Sequence, residues 1–520
     1  MSGAPTTAVE GGSPPRSGVA ANPIFLASAL LRLELRLLRR SRLTWLSLAM
    51  FVLAACASVA TVQIWGGKLA EANSQAVTEV GQQLQSMQSL MQGIQDGLVR
   101  PTAVDSYTPA QGEFVPDLRD PYVVGFYRPQ LALKPAQPLA ALALGAAVGQ
   151  AAHYTVTSRP LNEVMTHGRN AELTHPGLAA VGVLDLASLT VLIAPLLLCG
   201  LLGQGLARER HGALHLTLTA AGVRPGSLLL ARVAIAWACT LTALLLATAA
   251  ALATAWLTAG SNTAPGTAAF AKAVVVGQSL QWLGIATAYL LLWAGLAAVV
   301  MVLCRSELSS AVGLVGCWFG VVILLPALAA AVREDTGRSE RIFQALVAAQ
   351  QTDADAASLE QAAVLQQSVQ HLLQRADTAL TPCALMRSEV LRDYVGRFNY
   401  DLPVRSALQQ QAEPVSTAWW SPASRVTEAF QALAGNRRQD FQGFAAETAA
   451  FHHAYRMDIF RRLVDCQSLD AQDYSSLPRL APRGATAPSV WVSSVTLALL
   501  GLMLTMGAAW TCNQSLRNRA

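Results

Sequence analysis

The sequence predicts an all-α polytopic membrane protein with six transmembrane helices and two large, mainly α-helical extracytoplasmic domains. Three observations favour this fold class. Only 13 % of the 520 residues are charged, against about a quarter in an average soluble domain. Apolar residues make up 53 % and are gathered into long uncharged runs. Two long polar stretches, residues 65–179 and 333–487, interrupt these runs. A purely soluble enzyme is therefore excluded.

Six runs are long enough to cross a bilayer, whose apolar core of about 30 Å takes about 20 helical residues. The uncharged runs are Leu43 to Ile64, Leu186 to Leu202, Val233 to Leu257, Ala273 to Leu303, Leu308 to Val332 and Val490 to Cys512. The helices that contain them are predicted at 43–64, 180–202, 228–257, 273–303, 308–332 and 488–512. Because the fourth run is longer than one straight span requires, five or seven spans also fit.

Basic residues predict the orientation of the spans. Short cytoplasmic loops are enriched in Lys and Arg, and six spans place the two short Arg-bearing loops and both Arg-bearing terminal segments on the same side. These residues are Arg32, Arg36, Arg39, Arg40, Arg42, Arg208, Arg210, Arg224, Arg305, Arg517 and Arg519. Both termini are thus predicted to be cytoplasmic. The net charge of +5 is too small for a nucleic-acid-binding protein of this size, so no nucleic-acid partner is expected.

The cytoplasmic ends are predicted to be a tail, an interfacial helix and a second short tail. Residues 1–22 are rich in Gly, Pro and Ser, which is typical of a disordered segment. In residues 23–42, Leu31 and Leu35 recur at helical spacing against Arg32 and Arg36. This pattern indicates an amphipathic helix that lies on the membrane surface and contacts its lipid. Residues 513–520 form the second tail.

The first outer segment, 65–179, opens with a heptad seam. Its residues are Val77, Val80, Leu84, Met87, Met91, Ile94 and Leu98. Their spacing fits both a helix packed on its own domain and one paired with a helix of a partner subunit. The second outer segment, 333–487, alternates helical stretches with proline-containing breaks, which predicts an α-rich domain.

Two of the eight cysteines lie outside the predicted spans. They are Cys383 and Cys466, both in the second outer segment. Two thiols in one oxidising compartment usually pair, so a disulfide between them is predicted, with two unpaired thiols as the alternative.

Catalytic motifs are missing from the sequence. The chain has only three lysines, none followed by Ser or Thr, so it has no P-loop and no nucleotide site of its own. His452 and His453 are adjacent, so on a helix they point about 100° apart and could not chelate one ion without outside ligands. We therefore expect no catalytic residue, no bound cofactor and no metal. Asp185 stands at the start of the second span, where it fits either a helix-start role or a place on a transport pathway.

The cytoplasmic loop 203–227 carries the most specific pattern. It contains Glu209, Gly212, Leu214, Leu216 and Arg224, and Arg232 follows at the start of the third span. This loop resembles the signature of type-2 ATP-binding-cassette (ABC) exporter permeases. There, Glu-x-x-Gly-Thr-Leu, a short helix, Pro-Val-x-Arg and a further basic residue join the second and third spans. Ala213 and Ala221 replace the usual Thr and Pro.

Other motifs resemble one subgroup of that family, which carries large outer inserts and has no known function. They are Asp120-Pro121-Tyr122, residues 138–145, Asp185 with Pro195, Trp420-Ser421-Pro422 and Ala432 to Gly435 with Phe441 to Phe444. The order of these motifs along the chain, more than any single one, carries the resemblance.

The resemblance implies a permease subunit in the bacterial inner membrane. Its partners would be a separate ABC ATPase subunit, which binds ATP and Mg²⁺, and a second permease subunit, identical or paralogous. The loop residues and the amphipathic helix would contact the ATPase, so that its closure drives export or extraction of a substrate. The alternative is a non-transporting protein that uses the same energy to act mechanically on a periplasmic partner.

Overall fold

The structure is a computed structural model of the chain. It describes residues 23–101, 115–135, 137, 139–140, 142–148, 150–166, 184–203, 223–258, 268–304, 306–328, 401, 404–405, 408, 421–465, 467–470, 472–480 and 490–517.

The described part is mostly helical. We number its helices α1 to α12, treating α5 and α8 as single helices that each contain a π-turn. In chain order, the elements are α1 (Pro23–Arg40), α2 (Arg42–Gln95), α3 (Pro121–Tyr127), β1 (Gln130–Leu133), a 3₁₀ turn (Gly145–Val148), β2 (His153–Val156), α4 (Leu161–Thr166), α5 (Leu186–Gly203), α6 (Pro225–Thr258), α7 (Ala268–Leu303), α8 (307–328), α9 (Pro422–Ala434), α10 (Arg438–Val464), α11 (Asp473–Ser476) and α12 (Trp491–Arg517).

Six of these helices are long and apolar enough to cross a membrane, as the sequence predicts. They are α2, α5, α6, α7, α8 and α12. The long run that left five or seven spans open forms one helix, α7. Exposed apolar side chains are concentrated on α2, α8 and α12, among them Leu53, Leu308 and Met503. Such side chains suit contact with lipid or with another membrane helix.

The helix that contains the first predicted span does not end where the apolar run ends. Helix α2 continues without a break from Arg42 to Gln95, so the predicted span and the heptad seam belong to one helix. At 1.5 Å per residue, its 54 residues extend roughly 80 Å, far more than the apolar core requires. Gly97, with φ of 71°, follows the end of the helix, and Leu98 N donates to the carbonyl of Gly93. This left-handed glycine closes the last turn.

The far half of the heptad seam packs against the protein's own chain. Met87, Met91 and Ile94 are buried against Tyr455 and Ile459 of α10. At the two ends of the seam, Val77 is 49 % exposed and Leu98 is 82 % exposed. Among the described residues, Met87, Met91 and Ile94 therefore pack on the chain's own domain, which is the first of the two alternatives.

The two long connecting segments share their cores. One cluster joins Leu118 and Val124 of the first segment to Phe460 and Leu463 of the second. A second cluster joins Ala132, Tyr154 and Val156 to Phe444 and Phe451. The described parts of segments 65–179 and 333–487 thus pack as one module, which we call the joint module.

A β-hairpin contributes to the joint module, in addition to the predicted helices. Strands β1 and β2 pair antiparallel, with Ala132 opposite Tyr154 and Gln130 opposite Val156. Tyr154 and Val156 are buried on one face, whereas Thr155 between them is half-buried. The alternation of aromatic and β-branched residues after His153 is typical of a short strand.

Buried charges hold α10 to the first connecting segment. The side chain of Asp401 accepts a hydrogen bond from Leu161 N at 2.7 Å and pairs with Arg456, which is fully buried. His452 Nε2 donates to the carbonyl of Arg159 at 2.7 Å. Burial, assisted by the charge of Arg456, lowers the pKa of His452 to about 3. His452 is therefore a neutral packing residue near pH 7.

The spans α7 and α12 make the most extensive helix contact of the bundle. Two glycines permit their close approach. A Cβ at Gly295 would lie 2.6 Å from the carbonyl oxygen of Gly501, and one at Gly501 would lie 2.6 Å from the Leu291 backbone. Small residues at such crossings are the usual means of close helix packing in membranes.

Candidate functional site

Three elements converge at one end of the helix bundle. They are α1, the start of α6 and the end of α12. Leu30 of α1 packs with Val223, Leu228 and Ala231. We call this region the α1 end of the bundle. It is the candidate site because the loop predicted to contact an ATPase leaves and re-enters the bundle from α5 and α6.

A buried ion pair fixes α1 to α6. Arg232 Nη2 lies 2.8 Å from Glu34 Oε1, and Arg232 Nε lies 3.2 Å from Glu34 Oε2. The two side chains are 7 % and 5 % exposed. A bidentate pair of this kind matches the planar guanidinium to the carboxylate. Arg232 is the basic residue that the family resemblance pointed to before the third span.

The position of Glu34 changes the interpretation of α1. Leu31 and Leu35, which were predicted to contact lipid, are 37 % and 40 % exposed, while Leu30 and Glu34 are buried. Arg32, Arg36, Arg39 and Arg40 are exposed. Helix α1 therefore binds the bundle through Leu30 and Glu34, and its leucine stripe and arginines remain available to a membrane surface.

The start of α6 is tied to the end of α12. Pro225 occupies the first helical position, where a missing N–H costs nothing. Gly226 N donates to Asn513 Oδ1 at 2.9 Å. A Cβ at Gly226 would lie 2.5 Å from the carbonyl oxygen of Ala509, so only glycine permits this approach. Arg224, one of the predicted loop residues, is exposed beside this junction.

The other predicted loop residues, Glu209, Gly212, Leu214 and Leu216, lie outside the described residues. The helices that flank them are described. Gly203 ends α5, and a Cβ there would contact Leu314 of α8. The structure thus places Arg224 directly before α6 and Arg232 near the start of that helix.

Asp185 lies at the opposite end of α5, where it caps the helix. Its side chain accepts hydrogen bonds from Ser188 N at 2.7 Å and from Ser188 Oγ at 2.5 Å. It also accepts from Leu144 N, in the first connecting segment, at 2.8 Å. Among its two predicted roles, this geometry supports helix start. The carboxylate also ties the second span to the joint module.

The predicted disulfide cannot be compared with the structure, because Cys383 and Cys466 lie outside the described residues. The other six cysteines, all among the described residues, are not joined in disulfides. Among the described residues, no group of three or more His, Cys, Asp and Glu side chains could hold a metal ion.

The ion pair could not be predicted from sequence spacing. Glu34 and Arg232 are 198 positions apart. The one available signal was that Glu34 is the single acidic residue of α1, surrounded by arginines and leucines.

No known protein family, curated protein or solved structure matches the chain.

Proposed function

We propose that this chain is the membrane-spanning permease subunit of an ABC transporter. It would couple ATP hydrolysis by a separate ATPase subunit to export or extraction of a substrate. The observation that carries the proposal is the Glu34–Arg232 pair. It supports a function for α1 and the predicted loop 203–227 as one docking surface, because it locks α1 beside the start of α6, where that loop ends.

The energy for movement would come from the ATPase. If the ATPase with bound ATP binds one arrangement of the docking surface more tightly than another, its closure shifts the bundle toward that arrangement. ATP and Mg²⁺ are bound by the ATPase, and this chain supplies the surface and the spans. A second permease subunit, identical or paralogous, completes the assembly.

The proposed location is the bacterial inner membrane, with both termini cytoplasmic. We expect reporter fusions after Arg39, Arg210, Arg305 and Arg517 to report cytoplasm, because Arg-bearing loops are retained on that side. Fusions after Asp117 and Arg437, in the joint module, are expected to report the outside. A cytoplasmic signal at Arg437 would contradict the six-span topology.

The loop is tested by reversing the charge of Glu209. A carboxylate that accepts hydrogen bonds from the ATPase leaves unpaired partners when it is removed. We expect Glu209→Arg to insert and express normally but to lose co-purification with the ATPase, ATP-dependent activity, or both. Glu71→Arg, at an exposed position of α2, is the matched control and is expected to retain both. If Glu209→Arg keeps wild-type co-purification and ATP-dependent activity, the loop only connects two spans and does not contact the ATPase through Glu209.

A second candidate is mechanical action on a periplasmic partner without transport. The joint module favours this second function, because the described parts of segments 65–179 and 333–487 share their cores and so could move together as one body. A groove of about 480 Å³ between α2 and β2 is lined by Gln75, Glu79, Tyr127, Thr155 and Thr157. Substrate-stimulated ATPase activity and measured transport in proteoliposomes would distinguish the two functions.

A further inference from the structure

Helix α5 is not an α-helix throughout. Its residues Leu189–Ile193 form a π-turn, and Pro195 follows after one residue, Ala194. Proline has no N–H, so the carbonyl four residues earlier, that of Val191, loses its usual helical donor. A wide turn at this point is the expected response of the helix, since π-turns and proline are common causes of helix irregularity.

Side chains of two other spans supply donors to this turn. The Tyr289 hydroxyl of α7 donates to the carbonyl of Val191 at 3.1 Å. Trp318 Nε1 of α8 donates to the carbonyl of Leu192 at 2.9 Å. An unpaired backbone carbonyl within a bilayer costs several kcal/mol. These two bonds therefore stabilise the π-turn.

Helix α8 repeats the pattern. Its residues Phe319–Leu324 form a π-turn that begins directly after Trp318, and Pro326 follows. Leu325 N donates to the carbonyl of Gly320, five residues earlier. The two irregular turns are thus linked through Trp318. Two adjacent spans share a wide turn before a proline, and one side chain joins them.

A π-turn contains one residue more than the α-helical turn it replaces. Its conversion to α-helix would rotate one part of α5 relative to the other by about 100° and shift it by about 1.5 Å. π-turns inside α-helices are frequent at functional sites. A π-turn that converts to α-helix in this way would be an element with two discrete arrangements, which is what a conformational joint requires.

The two ends of α5 are attached to different parts of the protein. At the start, Asp185 holds Leu144 N. Helix α9 packs nearby on α7, where Phe430 and Trp282 lie 4.0 Å apart between ring centroids. At the other end, Gly203 is the first residue of the predicted cytoplasmic loop 203–227. A change at the π-turn would thus move the joint module relative to the loop.

We propose that the π-turn of α5, held by Tyr289 and Trp318, is the joint that transmits movement between the loop and the joint module. This inference rests on the proposed function, because it takes the loop as the point where the ATPase acts. Tyr289 and Trp318 are positioning residues, and neither touches a substrate in the proposal. The hydrogen-bonded π-turn is one state, and the straightened helix is the other.

The test measures the distance between spin labels placed through unnatural amino acids at Arg36 on α1 and Arg461 on α10, both exposed. We expect the wild-type distance distribution to shift when the ATPase is trapped with ATP. Tyr289→Phe removes one stabilising bond, and Pro195→Ala restores the missing N–H. Both variants are expected to shift the ATP-free distribution toward the ATP-trapped one. Trp318→Phe is a third variant with the same expectation.

Tyr474→Phe is the matched control, since its hydroxyl donates to the carbonyl of Leu118 at 2.8 Å within the joint module. It is expected to leave the distribution unchanged. The ATP-free comparison needs no ATPase, so it tests the joint even if the ATPase fails to co-purify and the proposed function is wrong. ATP-free distributions identical to wild type in correctly folded Tyr289→Phe and Pro195→Ala would overturn the proposal.

Discussion

Gly501→Val is expected to destabilise the helix bundle strongly. A Cβ at Gly501 would lie 2.6 Å from the carbonyl carbon and oxygen of Leu291 and from Leu292 N. These are backbone atoms, which cannot rotate away as a flexible side chain can. The helices α7 and α12 must therefore separate along their extensive contact. Overpacking of this kind costs about 1–3 kcal/mol, and more where the structure cannot relax.

The measurement is the thermal midpoint of the purified protein in detergent, followed by size-exclusion chromatography after heating. Gly507→Val is the matched control, because it lies in the same helix and a Cβ there would meet no described atom within 4 Å. We expect the midpoint of Gly507→Val to stay near wild type and that of Gly501→Val to fall. Equal midpoints for the two variants would contradict the close crossing of α7 and α12.

Glu34→Ala is expected to have the second large effect, at the α1 end of the bundle. The substitution leaves the Arg232 guanidinium buried without its carboxylate. Breaking a buried ion pair by removing one partner typically costs about 3–5 kcal/mol, because the remaining charge is uncompensated. We therefore expect Glu34→Ala to release α1 from α6 and, if the proposed function holds, to weaken binding of the proposed ATPase partner. Protease accessibility of α1 and co-purification measure the two effects.

The double variant Glu34→Leu/Arg232→Met separates the ion pair from the packing. Replacing a buried pair by apolar side chains of similar volume is often neutral or stabilising. We expect the double variant to keep α1 protected, and Arg36→Ala, at an exposed position, to behave as wild type. If Glu34→Ala alone leaves α1 protected, the pair does not hold the helix.

The membrane helices were predictable because their signal is local. Each uncharged run has the length that a bilayer demands, and the helix-start role of Asp185 follows from its position before an apolar run. The extent of α2 was not predictable from the same runs. Hydropathy falls after Ile64, but Gly66 and Gly67 do not break the helix. The end of the apolar run predicts where the helix leaves the membrane. The helix itself continues to Gln95, where Met87, Met91 and Ile94 pack against α10.

Contacts between residues far apart in the chain could not be predicted from the sequence. The pairing of Asp401 with Arg456, and the shared cores of the two connecting segments, join residues that no local period relates. Pro195 was visible in the sequence, and it predicts a missing hydrogen bond. The donor that replaces that bond, Tyr289, could be identified only from the packing of α7 against α5.

The candidate site was predicted in part. Arg224 and Arg232 came from the resemblance, and the structure puts both at the start of α6. It also adds Glu34 and Asn513, neither of which belongs to the loop pattern. The coupling role of Arg224 stays a prediction. So do the roles of Glu209, Gly212, Leu214 and Leu216, which lie outside the described residues.

Photocrosslinking from position 209 tests the central claim most directly. A photoreactive phenylalanine analogue in place of Glu209 is introduced in cells that also produce the proposed ABC ATPase partner. The proposed function predicts a light-dependent crosslink from position 209 to the ATPase and none from the exposed position 461 on α10. Light-dependent crosslinks from position 209 that never include the ATPase, in membranes where both proteins are present, would contradict the assignment.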